Sequence, residues 1–274
     1  VSGRTVIVTG ASSGIGAATA RRFGRAGDRV VLVARRAERL HQLATEIHDS
    51  LVVPADLTRR EDIARIVEAA LARYGTIDVL VNNAGLGRYD WLERLPEDEI
   101  LTQIEMNLIA PILLTRAVLP VMQAQGRGVI INVGSVAGKI ATPTTTIYNA
   151  SKFGLEGFSE ALRREVRPQG IHVCVVAPGP VSGTEFSARR KPNPIRVTGP
   201  RWLRTNTVRV AEAIVGLADR PRPRRVLPWP YGVLIALNTV LPSAVDRLVI
   251  HQIRRRLGNI PRGESVDQGE RGKE

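Results

Sequence analysis

Residues Thr5–Gly16 read TVIVTGASSGIG, and the reading of this stretch decides the fold. An apolar run, Val6-Ile7-Val8, leads into a turn with glycines at 10, 14 and 16, and a helical pattern starts near Ser13. Glycine leaves the backbone uncrowded where it bends sharply and where a ligand comes close. The unpaired N–H groups and positive dipole end of such a helix make a ready site for a pyrophosphate. The spacing is G-x-x-x-G-x-G rather than G-x-G-x-x-G, so by itself it also fits a plain strand-to-helix turn.

Outward from this turn, apolar runs at Arg29–Ala34, Leu51–Ala55, Ile77–Val81, Val129–Val133 and Ile171–Ala177 predict further strands. Helical spacing fills the gaps at Glu38–His48, Ile63–Tyr74, from about Glu97 to Gln125, and at Tyr148–Val166. Val208–Leu217 adds a helix and Arg225–Leu227 a short last strand. Continuous apolar runs alternating with helices imply an α/β fold with a parallel sheet covered on both faces. Right-handed crossovers make it doubly wound, with ligands over the carboxyl ends of the strands. A chain of 274 residues is expected to form one large domain of this kind, here taken as residues 1–227.

The net charge of +13 is uneven along the chain. Residues 1–184 hold 21 basic and 18 acidic side chains, whereas residues 185–262 hold 16 and 4. The excess therefore belongs to the last third. No aromatic platform or recognition motif accompanies it, so no nucleic-acid partner is expected. Such asymmetry favours anionic substrates or membrane headgroups, or is a solvated basic surface. The single cysteine, Cys174, fits a reducing, cytoplasmic setting, and no secretory signal is seen before the first strand.

The chemistry-bearing residues fall at the strand ends. Gly10, Ser12, Ser13, Gly14, Ile15 and Gly16 would cradle the pyrophosphate. After the second strand, Arg35 and Arg36 stand where an NAD site would have an acidic residue for the ribose hydroxyls. A guanidinium pairs with a ribose 2′-phosphate through charge-assisted bonds, which points to NADP(H). Asp56, with Leu57 beside it, is a candidate acceptor for the adenine amino group. Asn83, Ala84 and Gly85 would lie against the cofactor, while Asn82 can equally tie neighbouring strands. No metal ligand set is assigned. In Tyr148-Asn-Ala-Ser-Lys152 the i, i+4 spacing puts a phenol and an ammonium on one helix face. The ammonium favours the phenolate and lowers a pKa that is otherwise near 10 toward the working range. Ser135, after the fifth strand, would stand at the same sheet edge and hydrogen-bond a substrate carbonyl.

Taken together, TGASSGIG at 9–16, Asp56, NNAG at 82–85, Asn107 in MNLIAP, Ser135, YNASK at 148–152 and Pro178-Gly179 resemble the short-chain dehydrogenase/reductase family. The resemblance covers roughly residues 4–184. It implies a single-domain Rossmann-type sheet of about seven strands, assembled as a homodimer or homotetramer through the helices around 97–125 and 148–167. It also implies that NADPH delivers a hydride to a carbonyl carbon while Tyr148 donates a proton to the oxygen. Lys152 would hold the nicotinamide ribose, Ser135 would polarise the carbonyl, and Asn107 would anchor a water linking Lys152 to solvent. Pro178, Gly179 and Val181 would neighbour the nicotinamide. The family's threonine five residues after the proline is here Gly183; a one-residue insertion would give that role to Thr184.

Residues 185–207, rich in Arg, Pro and Thr, correspond in the family to a substrate flap. Pro228–Leu241, PWPYGVLIALNTVL, is strongly apolar and flanked by arginines, and with its prolines is too short for a membrane span of ~20 residues. Within an extension at 228–257 it fits a segment lying on a membrane, a wall of a lipophilic substrate pocket, or a subunit interface. Residues 258–274 are polar and read as a disordered tail. Two functions stay open: an NADP(H)-dependent oxidoreductase on an apolar carbonyl or secondary alcohol, and a non-catalytic NADP-binding sensor or interaction protein on the same fold.

Overall fold

Val6, Ile7 and Val8 are fully buried in β1 (Thr5–Thr9), the strand around which the sheet is laid. The computed structural model describes residues 3–188 and 201–257. After β1 come α1 (Gly14–Arg25), β2 (Arg29–Ala34), α2 (Ala37–Ala44), β3 (Ser50–Pro54) and α3 (Arg60–Tyr74). β4 (Val79–Asn82) leads to α4 (Glu97–Ile104) and α5 (Ala110–Gln125), joined without a break by a π-helical turn at Glu105–Ile109. Then follow β5 (Gly128–Val133), α6 (Thr146–Val166), β6 (Ile171–Pro178), the short β7 (Val181–Ser182), α7 (Glu185–Ala188) and β8 (Thr205–Asn206). The described chain ends with α8 (Thr207–Asp219), β9 (Arg224–Leu227), α9 (Pro230–Val240) and α10 (Pro242–Leu257).

Seven strands form one parallel sheet in the order β3-β2-β1-β4-β5-β6-β9, and β7 pairs with β8 apart from it. The order reverses between β1 and β4. The crevice outside the carboxyl ends at such a switch point is where ligands bind in open α/β sheets. Two apolar layers cover the sheet. One packs Phe23, Leu40, Val210 and Ile214 against it, and the other Ile66, Leu114, Val118 and Met122. The continuous helix Glu97–Gln125, 29 residues long, is apolar and long enough to cross a membrane, yet this buried stripe on the sheet makes it a core helix.

Two local departures from the sequence reading have physical causes. The second helix stops at Ala44 rather than His48. Thr45 Oγ1 donates back to Gln42 O, a local bond that competes with helix continuation, and Ile47 folds under α1 near Gly24. Ile77 lies before β4, because its N–H and C=O are both taken by the side-chain amide of Gln125 at 3.0 and 2.9 Å. The apolar segment Pro228–Leu241 becomes α9, and α10 beyond it was not anticipated. Most of the flap region, residues 189–200, and the tail at 258–274 lie outside the described residues.

A buried polar chain holds the central strands in register. Asn82 Nδ2 donates to Asn132 Oδ1 and Thr115 Oγ1, and Asn132 Nδ2 donates to Ser159 Oγ, which donates to Leu155 O. Asn82 thus ties β4 to β5. At the far edge, Arg224 of β9 pairs with the buried Glu156 of α6.

Candidate active site

The glycine turn is built for close approach. Gly10 and Gly14 adopt φ of +66° and +56°, which side chains disfavour. A Cβ on Gly16 would lie 2.2 Å from Gly10 O and 2.6 Å from Asn83 Nδ2, so the turn, α1 and the loop after β4 are pressed together. Asn83 fixes this contact by donating Nδ2 to Thr9 O, while Thr9 Oγ1 accepts from the N–H groups of Asn83 and Ala84. A groove of about 690 Å³ runs from the N-terminus of α1 along the helix to Arg25, lined by Ser12, Ser13, Gly14, Arg21, Arg39 and Val208 among others. Thr184, buried beside it, has its methyl near Gly14, and the preceding Gly183 turns the chain there with φ of +74°.

The two arginines after β2 differ. Arg35 is 68% exposed, with Asp56 at 3.7 Å. Asp56 also accepts from Thr58 N and Oγ1, an Asx-type turn that opens the loop to α3. Arg36 instead reaches back over the glycine turn. Its guanidinium donates to Ser12 Oγ at 2.9 Å, Ser13 Oγ at 3.0 Å and Glu185 Oε2 at 2.8 Å. Arg39, one helical turn on, pairs with the other oxygen of Glu185. Arg39 and then Arg36 hold the Glu185 carboxyl below the usual carboxylate range. A carboxylate thus stands in here for the anion that two guanidinium groups and a helix N-terminus would hold. With the glycine cradle, these residues fit the phosphates of a dinucleotide.

At the other end of the crevice, α6 carries Tyr148 and Lys152 on one face. Lys152 is 5% exposed and donates Nζ to Val133 O at 2.9 Å. Its Nζ lies 5.9 Å from the Tyr148 ring centroid. Burial pulls the Lys152 ammonium down to about 8 from lysine's ordinary 10.5. Ser135, in extended backbone after β5, accepts from Ala137 N at 3.1 Å and makes only a long bond of 3.5 Å to Pro178 O. Asn107 sits in the π-helical turn and clamps Leu86, accepting from its N–H and donating to its C=O, both at 2.8 Å. A third contact runs from Asn107 Nδ2 to Ser151 Oγ. A Cβ on Gly85 would meet Asn107 Oδ1 at 3.0 Å and Lys152 Nζ at 3.9 Å, so the strand end, the π turn and α6 converge on one point. Such π insertions are frequent at functional sites.

Four residues near these sites were missed in the sequence. Tyr89 stacks edge-on against Tyr148 at 5.5 Å, and Phe186 lies 5.9 Å from Tyr148 and 6.5 Å from Tyr89. Glu185 and Phe186 come from the flap, where no periodicity marks them. Arg39 was also missed, although its i, i+3 relation to Arg36 was a usable signal.

Comparison with known proteins agrees with this geometry. Residues 4–194 match the family model described as short chain dehydrogenase. The chain belongs to the short-chain dehydrogenases. Among its relatives, the ketoacyl reductase HetN of Nostoc sp. is 31% identical, over 90% of this chain and 88% of that protein. A metagenomic short-chain oxidoreductase solved with NADP is 35% identical, with a TM-score of 0.71, covering 82% of this chain and 96% of the other. A 3-ketoacyl-(acyl-carrier-protein) reductase of Brucella melitensis solved with NADH is 29% identical, with a TM-score of 0.75, covering 82% and 96%. As a short-chain dehydrogenase, the chain has an oxidoreductase fold that serves a nicotinamide cofactor.

The buried Lys152 carries a pH signature. The unfolded chain keeps this proton to near 10.5 and the folded chain only to about 8. Between those values the unfolded state binds more protons, so stability from this group rises with pH. Below about 8 the folded state bears the whole cost of the buried charge, on the order of 3 kcal/mol. Urea unfolding should therefore show the wild type gaining about that much relative to Lys152→Met between about pH 7 and pH 10.5. Cys174 and Tyr74, raised to about 11 and about 12 chiefly by burial, act in the opposite sense but are common to both proteins. A wild-type–variant difference independent of pH would show that the ammonium is not desolvated.

Proposed function

We propose that this short-chain dehydrogenase is an NADP(H)-dependent enzyme that interconverts a carbonyl and a secondary alcohol on an apolar substrate, with Tyr148 as general acid and base. One observation carries the reading: a buried ammonium, Lys152, shares a helix face with Tyr148 and donates to Val133 O at the carboxyl end of β5, two residues before Ser135.

Bound NADP(H) supplies the hydride. In reduction, the Tyr148 hydroxyl gives its proton to the substrate oxygen, and the Lys152 charge stabilises the phenolate left behind. Ser135 exchanges its long bond to Pro178 for one to the substrate oxygen, where negative charge grows in the transition state. In oxidation the same groups run in reverse. Arg36 and Arg39 would hold the 2′-phosphate, the Gly10–Gly16 turn the pyrophosphate, and Lys152 the nicotinamide ribose. Asn107, fixed on Leu86, would anchor the water that re-supplies the proton.

Tyr89 and Phe186 line the approach to Tyr148 with aromatic surface, which suits an apolar substrate. Two of the relatives bear ketoacyl reductase names, so β-ketoacyl thioesters head the substrate panel, followed by lipophilic aldehydes and ketones. Assembly as a homodimer or homotetramer through α5 and α6, in the cytoplasm, belongs to the same proposal. A side-by-side fluorescence titration with NADPH and NADH, followed by turnover on that panel, tests it. Tighter NADPH binding and carbonyl reduction are expected. A preference for NADH overturns the cofactor assignment, and binding of neither overturns the enzyme.

A further inference from the structure

Helix α9 is inside out. Its inward face carries Tyr231, Ile235 and Asn238, all half-buried. The Tyr231 ring lies against Gly179, and Asn238 donates to Lys139 O at 3.2 Å, so α9 is seated beside the loop that carries Ser135. The outward face is the apolar one. Val233, Leu234, Leu237, Val240 and Leu241 follow i, i+1, i+4, i+7, i+8 spacing and are 40–74% exposed. Trp229, at the head of this stripe, is 76% exposed. α10 leaves α9 at a bend of 108° and exposes Leu248 and Ile250 as well. An apolar stripe of this size facing outward marks an interaction surface.

The charges around it select the occupant. Between residues 220 and 257 the sequence holds eight arginines and one acidic residue, Asp246. Arg224 is turned inward onto Glu156, while Arg220, Arg222, Arg225, Arg247, Arg254 and Arg255 are exposed. A two-fold contact with a second copy would set this cationic surface against itself. An anionic lipid surface offers both complements, acyl chains for the aliphatic stripe and headgroups for the arginines. At about 1.5 Å per residue, the 11 residues of α9 fall well short of a hydrocarbon core of about 30 Å, and the bend prevents a straight span with α10. The bent unit is therefore read as lying on the bilayer rather than crossing it as one straight span.

We propose that the α9–α10 unit docks this protein flat onto anionic membrane surfaces, bringing the mouth of the Tyr148 cleft to the lipid. The proposal does not depend on turnover, and its test is independent of the enzyme's substrate.

The full chain is to be sedimented with vesicles of phosphatidylcholine alone and of phosphatidylcholine with one-third phosphatidylglycerol. Binding is expected on the anionic vesicles, weak on the neutral ones, and reduced at about 1 M salt, where surface charge is screened. Leu234→Glu/Leu237→Glu should lower the bound fraction about tenfold or more, and each of Arg254→Gln and Arg255→Gln should weaken binding about fivefold. NADPH titration of each variant reports that the nucleotide half remains folded. Should the leucine double variant not fold, a blue shift of wild-type fluorescence on adding anionic vesicles, lost in Trp229→Phe, makes the same test. Failure to bind anionic vesicles overturns the proposal, as does binding unchanged in all variants. A dimer that dissociates in Leu234→Glu/Leu237→Glu, with no vesicle binding by the wild type, would assign the stripe to a second copy.

Discussion

Tyr148→Phe should lower turnover of the reduced carbonyl by about 10³-fold, within the range that a positioned general acid contributes, and leave NADPH affinity within about twofold. The substitution removes one oxygen and keeps the ring. Its edge-on packing with Tyr89 and its tilted packing with Phe186 survive, and Lys152 keeps its bond to Val133 O. The loss therefore falls on proton transfer, not on folding or cofactor placement. Lys152→Met should cost a comparable factor, and the double variant little more, because the phenol and the ammonium act as a unit. Single-turnover rates from preformed NADPH complexes give the comparison. Activity of the Tyr148→Phe protein near the wild-type level would remove the tyrosine from the chemistry.

The second large effect concerns cofactor choice. Arg36→Ala should weaken NADPH binding by about 10- to 100-fold, the worth of a charge-assisted hydrogen bond or slightly more, and change NADH binding by less than about threefold. Arg36 is the better placed of the adjacent pair: it is anchored on Ser12 and Ser13 over the glycine turn, whereas Arg35 is largely exposed beside Asp56. Arg35→Ala is expected to cost less. Glu185→Gln should move NADPH affinity the other way, tighter by about three- to tenfold, since a neutral amide competes less well than a carboxylate for the two guanidinium groups. Fluorescence titrations of the three variants with both cofactors decide the matter. Equal losses of NADPH and NADH in Arg36→Ala would mean that the arginine only supports the turn.

The sheet was legible because strands buried on both faces carry near-continuous apolar runs, as β1, β2, β5 and β6 do. Tyr148 and Lys152 were legible as a pair because helical spacing alone places them together. β4 was harder, since the Gln125 amide replaces ladder partners at Ile77 and shifts the strand start. The residues that reached the crevice unannounced arrive by tertiary routes. Tyr89 and Phe186 come from irregular segments whose paths are set by what they pack on, and Glu185 is placed by arginines about 150 residues away in sequence. The π turn at Glu105–Ile109 leaves no mark in a pattern that reads simply as a long helix. The outward stripe of α9 was visible as an apolar run, but its direction is known only once Tyr231 and Asn238 are seen to face inward.

Glu185 and Phe186 are consecutive, and consecutive Cα atoms are held about 3.8 Å apart. One of them sits on the arginines of the phosphate end and the other on the ring of Tyr148. The two contacts share a leash too short for either to move far alone. A shift of the carboxylate off its arginines is therefore expected to move the phenylalanine on the tyrosine ring as well, linking the Arg36–Arg39 end of the crevice to the Tyr148 end through a single peptide bond.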